Sequence, residues 1–207
     1  MSDGSAMATG HPHDAQGRAL PHAWWPADRQ APGALEFVRR FCNSINRENG
    51  AERFTTSAAL DRWLTSEGAP PAHARRVDLT RAIAVREILH ELVVLNAERT
   101  TNDNDKSAVW RRLAAALAPV PLHFETDGER LTVRPGSGGV EALLARIGLA
   151  VAEANAAGTW QRLKACQHCN WVVYDPSKNR SARWCSMNAC GGRHNAREYR
   201  RRRRSAA

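Results

Sequence analysis

The sequence predicts a mainly α-helical body with one β-hairpin, followed by a small C-terminal zinc finger of treble-clef type. Three observations predict it. Apolar residues recur at helical spacing over most of residues 33–158, the period changes to two around one Asp-Gly turn, and four of the five cysteines crowd between Cys166 and Cys190. The organisation expected is a flexible leader over 1–32, a helical body over 33–158 and a finger over 160–204 ending in an Arg-rich helix.

The leader holds Gly, Pro, His and polar residues without period. Its Trp24-Trp25 pair is expected to dock on the body, because exposed indoles forgo roughly 25 cal/mol for each Å² left in water. After Pro32-Gly33, the residues Leu35, Val38, Phe41 or Cys42, and Ile45 predict a first helix that Gly50 stops. Ser57 is the expected cap of a second helix with Leu60, Trp63 and Leu64, ended by Gly68 and Pro70-Pro71. From Ala72 to Arg99, apolar residues such as Ile83, Leu89, Leu92 and Val93 lie on more than one side, which places this helix at the centre. Asp105 or Ser107 can cap a fourth helix carrying Val109, Trp110, Leu113 and Leu117. Alternation over Leu122–Glu125 and Leu131–Val133 around Asp127-Gly128 predicts the hairpin. A last helix with Val140, Leu143, Leu144, Ile147, Val151 and Ala154 is expected to run on toward Trp160 and Leu163. These stripes are expected to close a core without the finger, and Cys42, alone on an apolar face, reads as a core residue.

No apolar run reaches the roughly 18 residues of a membrane span, and the first thirty residues lack the cationic-then-apolar plan of a secretory signal. A cytoplasmic chain with reduced thiols and no membrane partner is expected. The 207 residues include 30 basic and 21 acidic side chains, a net +9. From Trp160 onward twelve basic residues face only Asp175 and Glu198, so that segment carries +10 and the rest −1. Concentrated charge of this kind suits phosphate attraction, while a terminal Arg run that only aids solubility is the plainer alternative.

Cys166-x2-Cys169 and Cys185-x4-Cys190, with fifteen residues between, have the spacing of a structural zinc site of four thiolates, one ion per chain. Copper or an iron–sulfur cluster fits less well, because the paired pattern leaves no spare or bridging position. Disulfides or inert thiols are the alternatives. His168 and His194 could replace a cysteine, but four thiolates already complete the shell. Between the pairs, Trp171–Tyr174 reads as a strand, Asp175–Asn179 as a turn and Ser181–Trp184 as the returning strand. Beyond Cys190, Arg193, Arg197, Arg200 or Arg201, and Arg204 recur at helical spacing, and with Arg180 and Arg183 they are the candidate nucleic-acid contacts.

The stretch Cys166-x2-Cys169-Asn-Trp-x2-Tyr-Asp-x-Ser-x-Asn-Arg-Ser-x-Arg-Trp-Cys185-Ser-Met-x2-Cys190-Gly-Gly-Arg193 resembles the CGNR-type zinc finger, and the helical region before it resembles the ABATE domain that accompanies this finger in bacteria. The resemblance implies that the four cysteines bind zinc and that the protein is a stress-related transcription regulator. One departure is Gly192, where the family has Asn. Phe41-Cys-Asn43-Ser-Ile-Asn46-Arg47 lies where the family has its Asn-Thr segment. Asn43 and Arg47, with Arg86 on the central helix, are thus a possible ligand site or an internally satisfied polar cluster.

Function is expected to be that of a zinc-dependent DNA-binding regulator, the body sensing or dimerising. An RNA- or ribosome-associated zinc protein would instead stack unpaired bases on Trp171, Tyr174 or Trp184. A protein-interaction adaptor would bind no nucleic acid. An enzyme is not expected: no phosphate loop, nucleophile elbow or His-Glu-x-x-His motif occurs, and four thiolates leave zinc no open position.

Overall fold

The computed structural model describes residues 29–69, 73–98 and 103–205. Trp24, Trp25 and most of the leader lie outside the described residues. The leader's end is part of the body, since Ala31 is buried and its N–H donates to Glu36 at 2.8 Å.

Helix α1 (Leu35–Cys42) buries Leu35, Phe37, Val38, Phe41 and Cys42, and ends earlier than the expected Ile45. Asn43 and Ser44 leave the helix where their side chains meet Val172 and Arg86, far along the chain. Ile45–Asn46 (β1) pairs antiparallel with Ala51–Glu52 (β2), an unpredicted hairpin turned by the Asn46 and Asn49 side chains and by Gly50 at φ +76°. Helix α2 (Ser57–Ser66) is capped by Thr56, whose hydroxyl accepts the Ala59 N–H at 3.1 Å, and not by Ser57. Trp63 closes an aromatic cluster with Phe37 and Phe54, centroids 5.4 and 5.3 Å away.

Helix α3 (Arg76–Ala97) starts four residues later than expected, where the Asp78 carboxylate accepts the Arg75 N–H at 3.0 Å. It packs against α1, α2, α4 (Asp103–Leu117) and α5 (Gly139–Ala156), with Val85, Leu89, Leu92 and Val93 fully buried. Its central place follows from that many-sided apolar surface. Asp105 and Ser107 lie inside α4, so neither caps it. Leu122–Thr126 (β3) and Leu131–Pro135 (β4) form the expected hairpin, in which the Asp127 carboxylate accepts the Glu129 and Arg130 N–H groups.

Helix α5 does not continue to Trp160. Gly158 at φ +65° ends it, Trp160–Arg162 form a 3₁₀ turn, and Leu163–Ala165 (β5) pair antiparallel with Val172–Tyr174 (β6). The partner of the Trp171–Tyr174 strand is therefore upstream of the first cysteine. Ser181–Trp184 is irregular.

The core does not stop at residue 158. Trp160, Leu163, Ala165 and Val172 are buried in the same cluster as Leu89 and Leu144, and Trp160 lies 5.4 Å from Trp110. Polar ties seal the contact. The Asn43 amide donates to the Val172 carbonyl at 2.8 Å and accepts the Val172 N–H at 2.9 Å, and Asn96 donates to the Trp160 and Leu163 carbonyls at 3.0 Å each. Burial holds His90 below the usual histidine range, and the neutral ring donates through Nε2 to the Asn170 carbonyl at 2.9 Å. In the full chain the core of residues 33–158 is thus continuous with β5 and β6.

A chain ended after Gly158 is expected to lose its cooperative urea transition, and Trp160→Ala in the full chain to cost about 3–5 kcal/mol. A truncated body as stable as the full chain would show that β5 and β6 only lean on it.

Candidate metal centre

Strands β5 and β6 are joined by a tight turn that carries the first cysteine pair. The Cys166 N–H donates to the Trp171 carbonyl at 2.9 Å and the Asn170 N–H to the Cys166 carbonyl at 2.9 Å, with Asn170 in the left-handed region at φ +59°. The Gln167 N–H donates to the Arg183 carbonyl at 3.0 Å, which draws the second pair over the first. Cys190 lies in one turn of π-helix, Met187–Gly191, that leads into α6 (Gly192–Ser205).

The four sulfurs lie within 4.8 Å of one another, and Cys169 Sγ is 3.8 Å from Cys185 Sγ. That is no disulfide, whose sulfurs stand about 2.05 Å apart. Thiolates about 2.3 Å from a central zinc at tetrahedral corners stand about 3.8 Å from each other, so the donor set fits the ion. All four are buried. Without a cation such a cluster resists ionising as a group. Hydrogen bonds from Cys169 and Cys185 favour one thiolate, Cys166, while donating to it and burial hold Cys169 and Cys185 protonated. A divalent cation removes that conflict.

The two glycines after Cys190 differ. A Cβ at Gly191 would meet Met187 Sδ at 2.9 Å and Trp184 Cδ1 at 3.1 Å, whereas at Gly192 it would meet only the Met187 carbonyl at 3.4 Å. At the first, the exposed Met187 side chain can swing away, and the Trp184 ring is the neighbour that would have to give. The second leaves room for the Asn that the finger family carries.

The loop from Asp175 to Ala182 is organised by a carboxylate that sequence reasoning placed only in a turn. Asp175, fully buried, accepts the Ser177 N–H at 3.0 Å, the Ala182 N–H at 2.8 Å and the Lys164 ammonium at 3.0 Å. Burial alone would push this carboxyl up, but those donors outweigh it and hold it at about 2. Lys164 also donates to the Arg180 carbonyl, and Arg162 donates to the Asp175 and Ser177 carbonyls at 3.0 and 2.8 Å. Lys164 and Arg162 therefore hold the loop together. A carboxylate eleven residues from a lysine across a strand turn was the available signal, and only the β5–β6 pairing makes it readable.

The candidate arginines fall into separate groups. Arg180 and Arg183 line an open groove of about 610 Å³ with Lys164 and Gln167; Arg183 donates to Gln167 at 2.8 Å and lies over Trp184. Arg193 donates to Glu48 in the β1–β2 turn at 2.8 Å, a contact that sequence reasoning missed. Arg197, Arg200, Arg201 and Arg204 share one face of α6, and all are exposed, with Arg201 also bonded to Glu198 at 2.9 Å.

Asn43, Arg47 and Arg86 are each bonded to groups of the protein itself, and Arg47 and Arg86 meet on Glu87. Asn43 ties α1 to β6, as described. Arg86, 2% exposed, donates to Ser44, to both Glu52 oxygens and to Glu87, and Arg47 donates to the Cys42 carbonyl and to Glu87. Burial pushes the neighbouring Cys42 thiol up to about 12, which leaves it inert at neutral pH.

Residues 162–203 match the family model for the CGNR zinc finger, and residues 32–158 match the ABATE model, described as "Putative stress-induced transcription regulator". No curated protein matches the chain. Among the described residues no helix is long and apolar enough to cross a membrane. The matched finger and the clustered thiols together give one zinc per chain.

Withdrawing the metal with a strong chelator should make four thiols per chain reactive while Cys42 stays protected; five thiols reacting together would contradict the separate role of Cys42. Asp175→Asn should cost about 3–5 kcal/mol in chemical denaturation, because it strands a buried ammonium. The carboxylate's contribution is complete above the unfolded value of about 3.9 and is lost as pH falls toward about 2, so a variant equally stable at pH 6 would overturn this role.

Proposed function

The chain belongs to the ABATE family, and from that premise we propose that it is a zinc-dependent transcription regulator that binds DNA through its C-terminal finger and α6. The observation that carries the reading is α6 itself. Over 14 residues it holds seven arginines and one glutamate, and it buries none of them. An isolated helix of this length is marginal in water, and like charges three and four positions apart weaken it further. Phosphates supply the missing counter-charge, and guanidinium forks match their geometry. At the other end, zinc with four thiolates is an anionic group beside the helix N-terminus, where negative charge is favourable.

Cys166, Cys169, Cys185 and Cys190 are the proposed zinc ligands; Arg197, Arg200, Arg201 and Arg204 are the proposed phosphate contacts, joined by Arg180 and Arg183 at the groove. Arg193 is reassigned mainly to holding α6 against Glu48. Duplex DNA is favoured over unpaired RNA because the finger's tryptophans are engaged: Trp171 is buried and Trp184 rests on His194, centroids 4.7 Å apart. That leaves Tyr199, 62% exposed among the arginines of α6, as an open ring but no row of aromatics of the kind single strands use. Four thiolates leave zinc no position for water, so the reading is of a binding protein and not an enzyme. Thiolate ligation supports a reducing compartment, the cytoplasm, as part of this reading. The division into leader (1–32), body (33–158) and finger (160–204) is one of roles across a shared core, with the body assigned to sensing or self-association.

Salt dependence tests this directly. Four phosphate contacts from α6 contribute about −3.6 to the slope of log affinity against log salt, and Arg180 and Arg183 about −1.8 more; replacing Arg200, Arg201 and Arg204 by Gln should flatten it by about 2.7 with zinc content unchanged. An unchanged slope, or no retention on DNA at low salt, would transfer the finger to a protein-binding adaptor.

A further inference from the structure

The β3–β4 hairpin is unlike the rest of the body. Phe124 is 70% and Leu131 71% exposed, and every residue of β3 is exposed. With Phe124 opposite Val133 and Leu122 opposite Pro135, one face of the ribbon is apolar; His123, Glu125, Thr132 and Arg134 form the other. Two-stranded ribbons are marginal alone, and an open flat edge with apolar side chains invites a further strand.

We propose that the outer edge of β3 is a self-association surface, pairing antiparallel with β3 of a second copy about a two-fold axis at Phe124. The proposal gives a place to the self-association assigned to the body above, and it does not depend on DNA binding.

The hydrogen-bond phase supports it. The Gly136 N–H donates to the Pro121 carbonyl at 2.8 Å, and since bonded pairs recur at every second residue, His123 and Glu125 bond inward to β4. The N–H and C=O groups of Leu122, Phe124 and Thr126 therefore face outward, the set that pairing centred on Phe124 requires. The other edge is poorer. Pro135 lacks an N–H, and β4 packs against α5.

Polar complementarity supports the same register. Centred on Phe124, the pairing sets His123 against Glu125 of the second copy, and does so twice because the interface is two-fold. It also sets Phe124 against its own copy and Leu122 against Thr126, so the most exposed ring of the hairpin gains a cross-strand partner. Glu125 already receives Arg134 at 3.4 Å on the same face, so the carboxylate would stand between that guanidinium and the imidazole of the second copy, a hydrogen-bonding partner.

Five paired residues make a small interface, so dissociation in the micromolar range is expected. Sedimentation equilibrium of the zinc-loaded full chain from about 1 to 100 μM should show a monomer–dimer equilibrium. Phe124→Lys should leave a monomer, His123→Glu should weaken the dimer at least about tenfold by setting two like-charged pairs together, and His123→Lys should keep or tighten it. Phe124→Cys should form a disulfide-linked dimer on mild oxidation, and Thr132→Cys should not. These positions are exposed, so the variants should keep the thermal stability of the parent. A parent chain that stays monomeric throughout, or a dimer indifferent to Phe124→Lys and His123→Glu, overturns the proposal. So does a monomeric parent that Phe124→Lys destabilises, since that would mean another part of the same chain covers the hairpin. The readout is mass without DNA, so a failed DNA reading and a failed dimer show up in different experiments.

Discussion

Four buried thiols within 4.8 Å of one another cannot all carry the charge that coordination demands unless a cation stands between them. That constraint reaches well past the sulfur atoms. Cys166 and Cys169 close the turn between β5 and β6, and those strands contribute Leu163 and Val172 to the core of the body. Cys190 fixes the π-turn from which α6 starts. The ion therefore sits between the packed part of the molecule and the part that is almost wholly solvated. Lys164 and Asp175 serve the same end by a different route, since their buried pair shapes the loop that brings Cys185 back over the first cysteine pair.

Electrostatics sorts the basic residues into two kinds that look alike in a count of charges. Lys164, Arg162 and Arg86 are committed to carbonyls and carboxylates inside the fold, where removing a partner would strand a charge. The arginines of α6 are committed to nothing of comparable strength, because exposed pairs such as Arg201 with Glu198 contribute little. The surplus that remains available to a polyanion is therefore smaller than the +10 of the C-terminal segment and concentrated on one helix.

Features decided by short-range pattern were legible in the sequence. Cysteine spacing gave the metal cluster, the apolar stripes gave α2 through α5, and Asp127-Gly128 gave the β3–β4 hairpin. Features decided by distant partners were not. Asn43 ends α1 because its amide matches the backbone of Val172, 129 residues away, and no window around residue 43 contains that information. Leu163-Lys-Ala165 is too short to show a period, so it passed for a helix tail and the β6 strand was matched with the wrong neighbour. The Lys164–Asp175 pair depends on that same pairing of β5 with β6. In the candidate site the ligand set was readable residue by residue, while the supporting contacts of Glu48, His90 and Asn96 depend on the finger lying against the body.

Among the described residues, the ties from helix α6 to the remainder of the molecule gather near its root. There it is held from the finger by the π-turn around Cys190 and by Trp184 against His194, and from the body by Arg193 reaching Glu48 in the β1–β2 turn, and its 14 residues extend roughly 20 Å. Mechanically it is a cantilever whose two supports belong to different parts of the chain. A small relative displacement of those supports becomes a much larger sweep at the free end. Rearrangement of the short β1–β2 turn would thus re-aim the charged arm without touching a single arginine on it, and the body could govern where the arm points while leaving its charge unaltered.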